Sequence, residues 1–183
     1  MESPKHQLEI IPEETLSPQL DAAIRALLCE CFPPDAPIFR RNRCWHNCAP
    51  EYTIIHRREG NIFGHVGIVR RTITCGGVSV EIAGIESLAV SPAMRGSGLS
   101  RELMNEEMAE AKRRGIPFGF LFCSPKLESF YGSLGWRRTD AKITMLNENG
   151  RDTPRYEKCI AMYANLAEEK FPEGDIHLRG RDW

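Results

Sequence analysis

A chain of 183 residues, 42% of them hydrophobic, is long enough to bury one real core, and a single domain over residues 1–183 is expected. Lysine and arginine (24) nearly balance aspartate and glutamate (25), so the net charge is -1 and there is no general field to draw nucleic acid. No apolar run approaches the about 20 residues of a bilayer crossing, and the polar start MESPKHQLEI has no signal-peptide core, so a cytoplasmic chain without a membrane partner is expected.

In chain order, residues 8–11 read as a short first strand. Ser17-Pro18 then supplies an N-cap and a first-turn proline, and Leu20, Ile24, Leu27, Leu28 and Cys31 follow at helical spacing. Pro33-Pro34 stops that helix, and prolines and polar residues leave the stretch through Pro50 without an assignment. Such a segment is able to form an acceptor wall, with Asp35 as its candidate carboxylate beside the alternative of a solvated turn acid. Arg40, Arg41 and Arg43 read as a solvated face.

Residues 52–57 and 62–74 form strands around Glu59-Gly60-Asn61, and Gly76-Gly77 turns into a strand from Val78, which gives antiparallel hairpins by connection length. His65 lies inside a strand, where a hydrogen-bonded structural histidine and a catalytic base are both open. Seven cysteines, odd in number and irregularly spaced, fit reduced thiols. Cys44 and Cys48 bracket His46, but no second paired cluster completes four zinc ligands, so no metal is expected.

Residues 82–90 are apolar enough for a strand buried on both faces, and Ser91-Pro92 ends it. The turn Arg95-Gly96-Ser97-Gly98-Leu99-Ser100 then opens a helix near Ser100. Strand, glycine turn and helix in that order make an anion cradle, because unpaired N–H groups and the positive end of the helix dipole converge on one place. Arg95 adds a forked, permanent cation. A plain connector uses the same letters. A P-loop is excluded because no Gly-Lys-Ser/Thr follows, and a dinucleotide fingerprint because the third glycine is missing.

Beyond the turn, Leu99, Leu103, Met104, Met108 and Ala111 give a helical stripe, with Glu102, Glu106, Glu107, Lys112 and Arg113 as its wet side. Gly115 ends the helix, and residues 117–123 should run parallel to the motif strand after this crossover. Ser124-Pro125 repeats the cap signal ahead of Leu127, Phe130, Tyr131 and Leu134; strands follow near 142–146 and 158–164. The charged last stretch has few signals, and Asp175 and Asp182 read as solvated acids unless the tail folds back.

The apolar strand followed by V-x-P-x-x-R-G-x-G-L resembles the acyl-CoA motif of the GNAT superfamily of N-acyltransferases. The later C-S-P-K-L-E-S-F-Y-G-S-L-G-W is similar to that superfamily's tyrosine-bearing helix and its following Gly-aromatic pair. Ser100 departs from the usual Gly or Ala but stays small. The resemblance implies one α/β (α+β) domain, with a mixed sheet of about seven strands flanked by about four helices and parallel strands splayed at the acyl-CoA site.

It also implies acetyl-CoA as the acyl donor, with a longer acyl donor, another small amine as acceptor, or a noncatalytic acyl-CoA sensor as the alternatives. The coenzyme's pyrophosphate would lie on Arg95, Gly96, Ser97, Gly98, Leu99 and Ser100, and a bulge around Leu88, Ala89 and Val90 would free amides for the thioester and pantetheine. Tyr131 is implied as the general acid. Glu86 is the candidate for assisting amine deprotonation, with Glu81 as its rival; five residues apart, they face opposite sides of an unbroken strand.

Two branches are most similar. The terminal L-R-G-R-D-W resembles the R-G-x-D-x-W of aminoglycoside 2'-N-acetyltransferases, one residue shorter, and Glu86 and Ser124 also match that family. H-V-G-I-V-R-R, G-S-G-L-S and G-I-P-F-G-F resemble the rhizobial nodulation N-acyltransferase, which acylates a chito-oligosaccharide amine. Either branch implies a small-molecule amine on an amino sugar, met by Asp35, Glu86, Ser87, Ser124, Asp182 and Trp183. If the tail closes that pocket, loss of Trp183 should raise the acceptor KM. Oligomeric state, a homodimer included, is left open.

Overall fold

The computed structural model describes residues 7–155 and 158–183. Strand β1 is Leu8–Pro12, followed by helix α1 (Pro18–Cys31), the short helix α2 (Ala36–Phe39), and strands β2 (Tyr52–Arg58), β3 (Asn61–Cys75) and β4 (Val78–Val90). Helix α3 is Leu99–Arg113, strand β5 Phe118–Cys123 and helix α4 Glu128–Gly132. The short strands β6 (Arg137–Thr139), β7 (Ile143–Leu146), β8 (Asp152–Pro154), β9 (Ile160–Asn165) and β10 (Ile176–His177) complete the chain. Hydrogen-bonded neighbours run β6-β9-β5-β4-β3-β10-β7-β8, with β1 on β2 and β2 on β3. The sheet is mixed: β4 and β5 are parallel, as their crossover through α3 requires, while β2 and β3 form an antiparallel hairpin.

Two compact units divide the chain, one of residues 1–68 and 86–107, the other of residues 69–85 and 108–183; β3, β4 and α3 each supply residues to both. In the first unit, the core packs Ile24, Leu27 and Leu28 of α1 with Phe39, Ile55 and Ala89. Ser17 caps α1 by accepting from Leu20 N at 3.2 Å, with Pro18 in the first turn. In the second unit, Phe118 and Phe120 of β5 pack on Phe171, and Trp136 covers Gly119, where an added Cβ would fall 2.6 Å from the indole. No described helix is long and apolar enough to cross a membrane.

Two sequence readings are corrected here. Arg43 is not on a solvated face but 5% exposed, paired with Asp21 at 2.7 Å and with Glu13. Glu107 is not on the wet side of its helix: it is fully buried, and neither carboxyl oxygen finds a hydrogen-bond partner among the described residues. Burial pushes the Glu107 carboxyl well above the ordinary carboxylate range. With the folded-state value raised, the stability it carries is complete below its unfolded value near 4.5 and is lost as pH rises through the folded value. Glu107→Leu should therefore raise the melting temperature by at least about 3 °C at pH 8 and by much less at pH 4, read by calorimetry at both pH values. Equal shifts at the two would show that Glu107 does not titrate on unfolding.

Candidate active site

In the first unit, β4 runs into the glycine turn through a short 3-10 turn, Pro92–Met94, whose Ser91 hydroxyl accepts from Ala93 N. Gly96 and Gly98 take φ +80 and +90, the left-handed region that glycine enters without strain. A Cβ at either would meet nothing within 4 Å, so conformation rather than crowding requires glycine, and the space over the turn is open. Ser97 N donates to Met94 O and Leu99 N to the Ser97 hydroxyl. Among the described residues, the N–H groups of Gly96, Gly98 and Ser100 have no acceptor within the chain. Three open donors at the start of a 15-residue helix suit the diphosphate of a coenzyme. Arg95 is exposed, and the Cys31 thiol near it donates to Val90 O at 3.4 Å.

Just upstream, the expected irregularity at Leu88–Val90 lies at Ser87, a left-handed residue with φ 53. Ala89 is buried in the α1 core and Leu88 and Val90 are half-buried. Glu86 is 3% exposed, and it fits because Gly67 has no side chain: a Cβ there would stand 3.0 Å from Glu86 Cγ and 3.2 Å from Oε1. A glycine within a strand is the sequence signal for such an approach. Cys44 is buried near Glu86; burial first, then the Glu86 charge, holds the thiol far above its ordinary value, so it stays protonated. His65 is also buried, between Thr53 and the Ser87 carbonyl. Asp35, half-buried, precedes α2 without capping it through its side chain. None of the links from Glu86 to Cys44 and Gly67, or from His65 to Thr53, was foreseen.

In the second unit, α4 carries Tyr131, 5% exposed, edge-on to Phe130 and Trp136 at centroid distances of 5.0 and 6.2 Å. Burial, with a smaller effect of Cys123, raises the phenol above its ordinary range, so it keeps its proton at every physiological pH. Ser124 is exposed and its hydroxyl accepts from Lys126 N. Glu81 forms a forked pair with Arg70 at 2.8 and 3.0 Å. The tail folds back: Asp182, 8% exposed, pairs with Arg155 at 3.1 Å. Trp183, 6% exposed, lies against Gly84, Phe120 and Phe122 and donates its indole N–H to Ile85 O at 3.1 Å. A cavity next to Ser124 is lined by Pro125, Arg138, Asp140, Arg155 and Lys158, with basic residues outnumbering acids. No group of three or more described His, Cys, Asp or Glu residues is placed to hold a metal ion.

Solved structures with this fold include a GNAT family N-acetyltransferase from Escherichia coli in complex with CoA, similar at 19% identity with a TM-score of 0.68 over 97% of this chain and 93% of that one. Another is a GNAT family acetyltransferase from Brucella melitensis in complex with acetyl-CoA, at 20% identity and a TM-score of 0.62 over 93% and 95%. Nodulation protein A of Bradyrhizobium elkanii is 33% identical over 104 residues, which is 57% of this chain and 49% of the relative. The chain spans about half the length of the first such relatives it matches. The profile of the nodulation protein A (NodA) family covers residues 5–163, nearly the whole of the strands and helices described above, and the chain belongs to that family.

Proposed function

We propose that this chain is an acyl-CoA N-acyltransferase that moves an acetyl group directly from the thioester to the amine of an amino sugar. The observation that carries this reading is the turn at residues 95–100, where three N–H groups have no acceptor among the described residues and a Cβ at either of two left-handed glycines would meet open space. Two of the fold's solved neighbours hold CoA or acetyl-CoA, and the same coenzyme suits this turn.

The amine must be neutral to attack. Glu86, buried beside Gly67, takes its proton directly or through one water. Attack forms the C–N bond and places negative charge on the carbonyl oxygen, which main-chain amides beyond Ser87 are suited to receive. Collapse breaks the C–S bond, and the departing thiolate takes the Tyr131 proton; because burial raises that phenol, solvent restores the proton readily afterwards.

The acceptor reading moves from an aminoglycoside toward a chito-oligosaccharide amine. Membership of the nodulation protein A family favours it. So does charge: a polycation needs open carboxylates, whereas Asp182 is tied to Arg155, and in the cavity beside Ser124 Arg138, Arg155 and Lys158 outnumber Asp140. Incubation with acetyl-CoA, or with long-chain acyl-CoA, and chito-oligosaccharides, glucosamine or aminoglycosides, followed by mass spectrometry, tests donor and acceptor together. Acetylated chito-oligosaccharide is expected. Acetylated aminoglycoside alone would overturn the acceptor, a long-chain product alone would overturn the donor, and no acylated product would overturn the reaction.

A further inference from the structure

On the proposed acyl-transfer reading, we propose that His65 is a positioning residue, one that locks the left-handed break in β4 at Ser87 and so aims Glu86 and the amides after it. His65 Nδ1 lies 3.0 Å from Ser87 O. A carbonyl only accepts, so Nδ1 carries the hydrogen. The ring is 1% exposed, and burial lowers its titration to about 4, so at neutral pH it is uncharged and Nε2 holds a lone pair. Thr53 Oγ1, 2.6 Å away, therefore donates to Nε2, although Val66 O stands 3.0 Å from the same hydroxyl. The chain Thr53–His65–Ser87 thus has one proton per link and one direction.

Register explains why these residues meet. Thr53 pairs with Gly67 and Ile55 with His65, so Thr53, His65 and Gly67 share one face of the β2–β3 hairpin. Gly64 belongs to the other face, where Leu99 and Leu103 of α3 lie. Over that first face, Gly67 receives the Glu86 side chain while His65 holds the carbonyl of the next residue. Two adjacent residues of β4 are thereby fixed by two residues of β3.

The lock is needed because Ser87 does not support its own conformation. Asn and Asp tolerate the left-handed region by bonding locally, but the Ser87 hydroxyl is buried and has no hydrogen-bond partner among the described residues. Among the side chains that bond to Ser87, the imidazole is the one that holds its carbonyl. Removing it leaves the strand free to relax toward extended geometry, which rotates Glu86 and the amides of 88–90 away from the reacting carbonyl.

The test compares His65→Leu, which removes the donor, with His65→Asn, whose amide nitrogen replaces Nδ1–H, and Thr53→Val, which removes the hydroxyl at constant shape. Expected are a fall in kcat of about a hundredfold for His65→Leu, a change in acetyl-CoA KM below about threefold, and recovery of most of the loss in His65→Asn. Equal losses in the Leu and Asn variants, or an unchanged kcat in His65→Leu, would overturn the lock; if the Leu variant does not fold, kcat in Thr53→Val, expected to fall, decides. Nitrogen NMR of the unmodified protein needs no turnover, so it separates this inference from the reaction itself. An Nδ1-protonated His65 and shifted amides of 87–90 in Thr53→Val are expected, and an Nε2-protonated ring or unmoved amides would contradict it.

Discussion

Trp183→Ala is expected to lower the melting temperature by about 10 °C, through a loss of about 3–5 kcal/mol. The indole is 6% exposed, contacts Phe120 and Phe122, lies 5.0 Å from the Arg71 guanidinium, and spends its N–H on Ile85 O. Truncation empties that space and leaves a buried strand carbonyl without its side-chain donor. The same contact is tested from the other side by Gly84→Ala, whose Cβ would fall 2.6 Å from Trp183 Cε2 and force the ring out. Trp183→Phe should fall between the two states, since it keeps most of the packing and loses the donor. A melting temperature within about 2 °C of the unmodified chain, with a raised acceptor KM instead, would return Trp183 to the acceptor-pocket role.

Gly98→Val is expected to weaken acetyl-CoA binding at least about tenfold. Valine resists φ +90, so the turn must shift and take the N–H groups at 96, 98 and 100 with it. Strain alone is controlled by Gly60→Val in the β2–β3 hairpin, where φ is +83 and a Cβ also meets open space. The two variants should lose similar stability, and only Gly98→Val should lose affinity, both read by calorimetry. Equal affinities would mean that the turn does not hold the diphosphate.

Features set by neighbours in sequence were legible from the letters. Ser17-Pro18 and Ser124-Pro125 each start a helical turn as their cap chemistry requires, and the glycine turn opens α3 within a residue of the expected place. Features set by distant partners were not. Arg137–Thr139 and Ile176–His177 are strands because β9, β7 and β3 offer them ladders, not because their residues favour one. Arg43 looks like Arg40 and Arg41 until Glu13 and Asp21, 30 and 22 residues earlier, are seen beside it. Glu107 is a different failure, since its spacing from Leu103, Met104 and Ala111 puts it on the buried stripe and its charge masked the pattern. Glu86 and Tyr131 stand out in the sequence as candidates, but the burial of Cys44 near Glu86 and the His65 hydrogen bond to the Ser87 carbonyl join segments far apart in sequence.

Titrating the unmodified chain with acetyl-CoA, CoA and dephosphorylated pantetheine in a calorimeter shows whether the turn at 95–100 grips a coenzyme diphosphate. Saturable heat with a one-to-one stoichiometry is expected for both coenzyme forms and none for pantetheine, which lacks the diphosphate. No heat with acetyl-CoA, or equal binding of pantetheine, would contradict it.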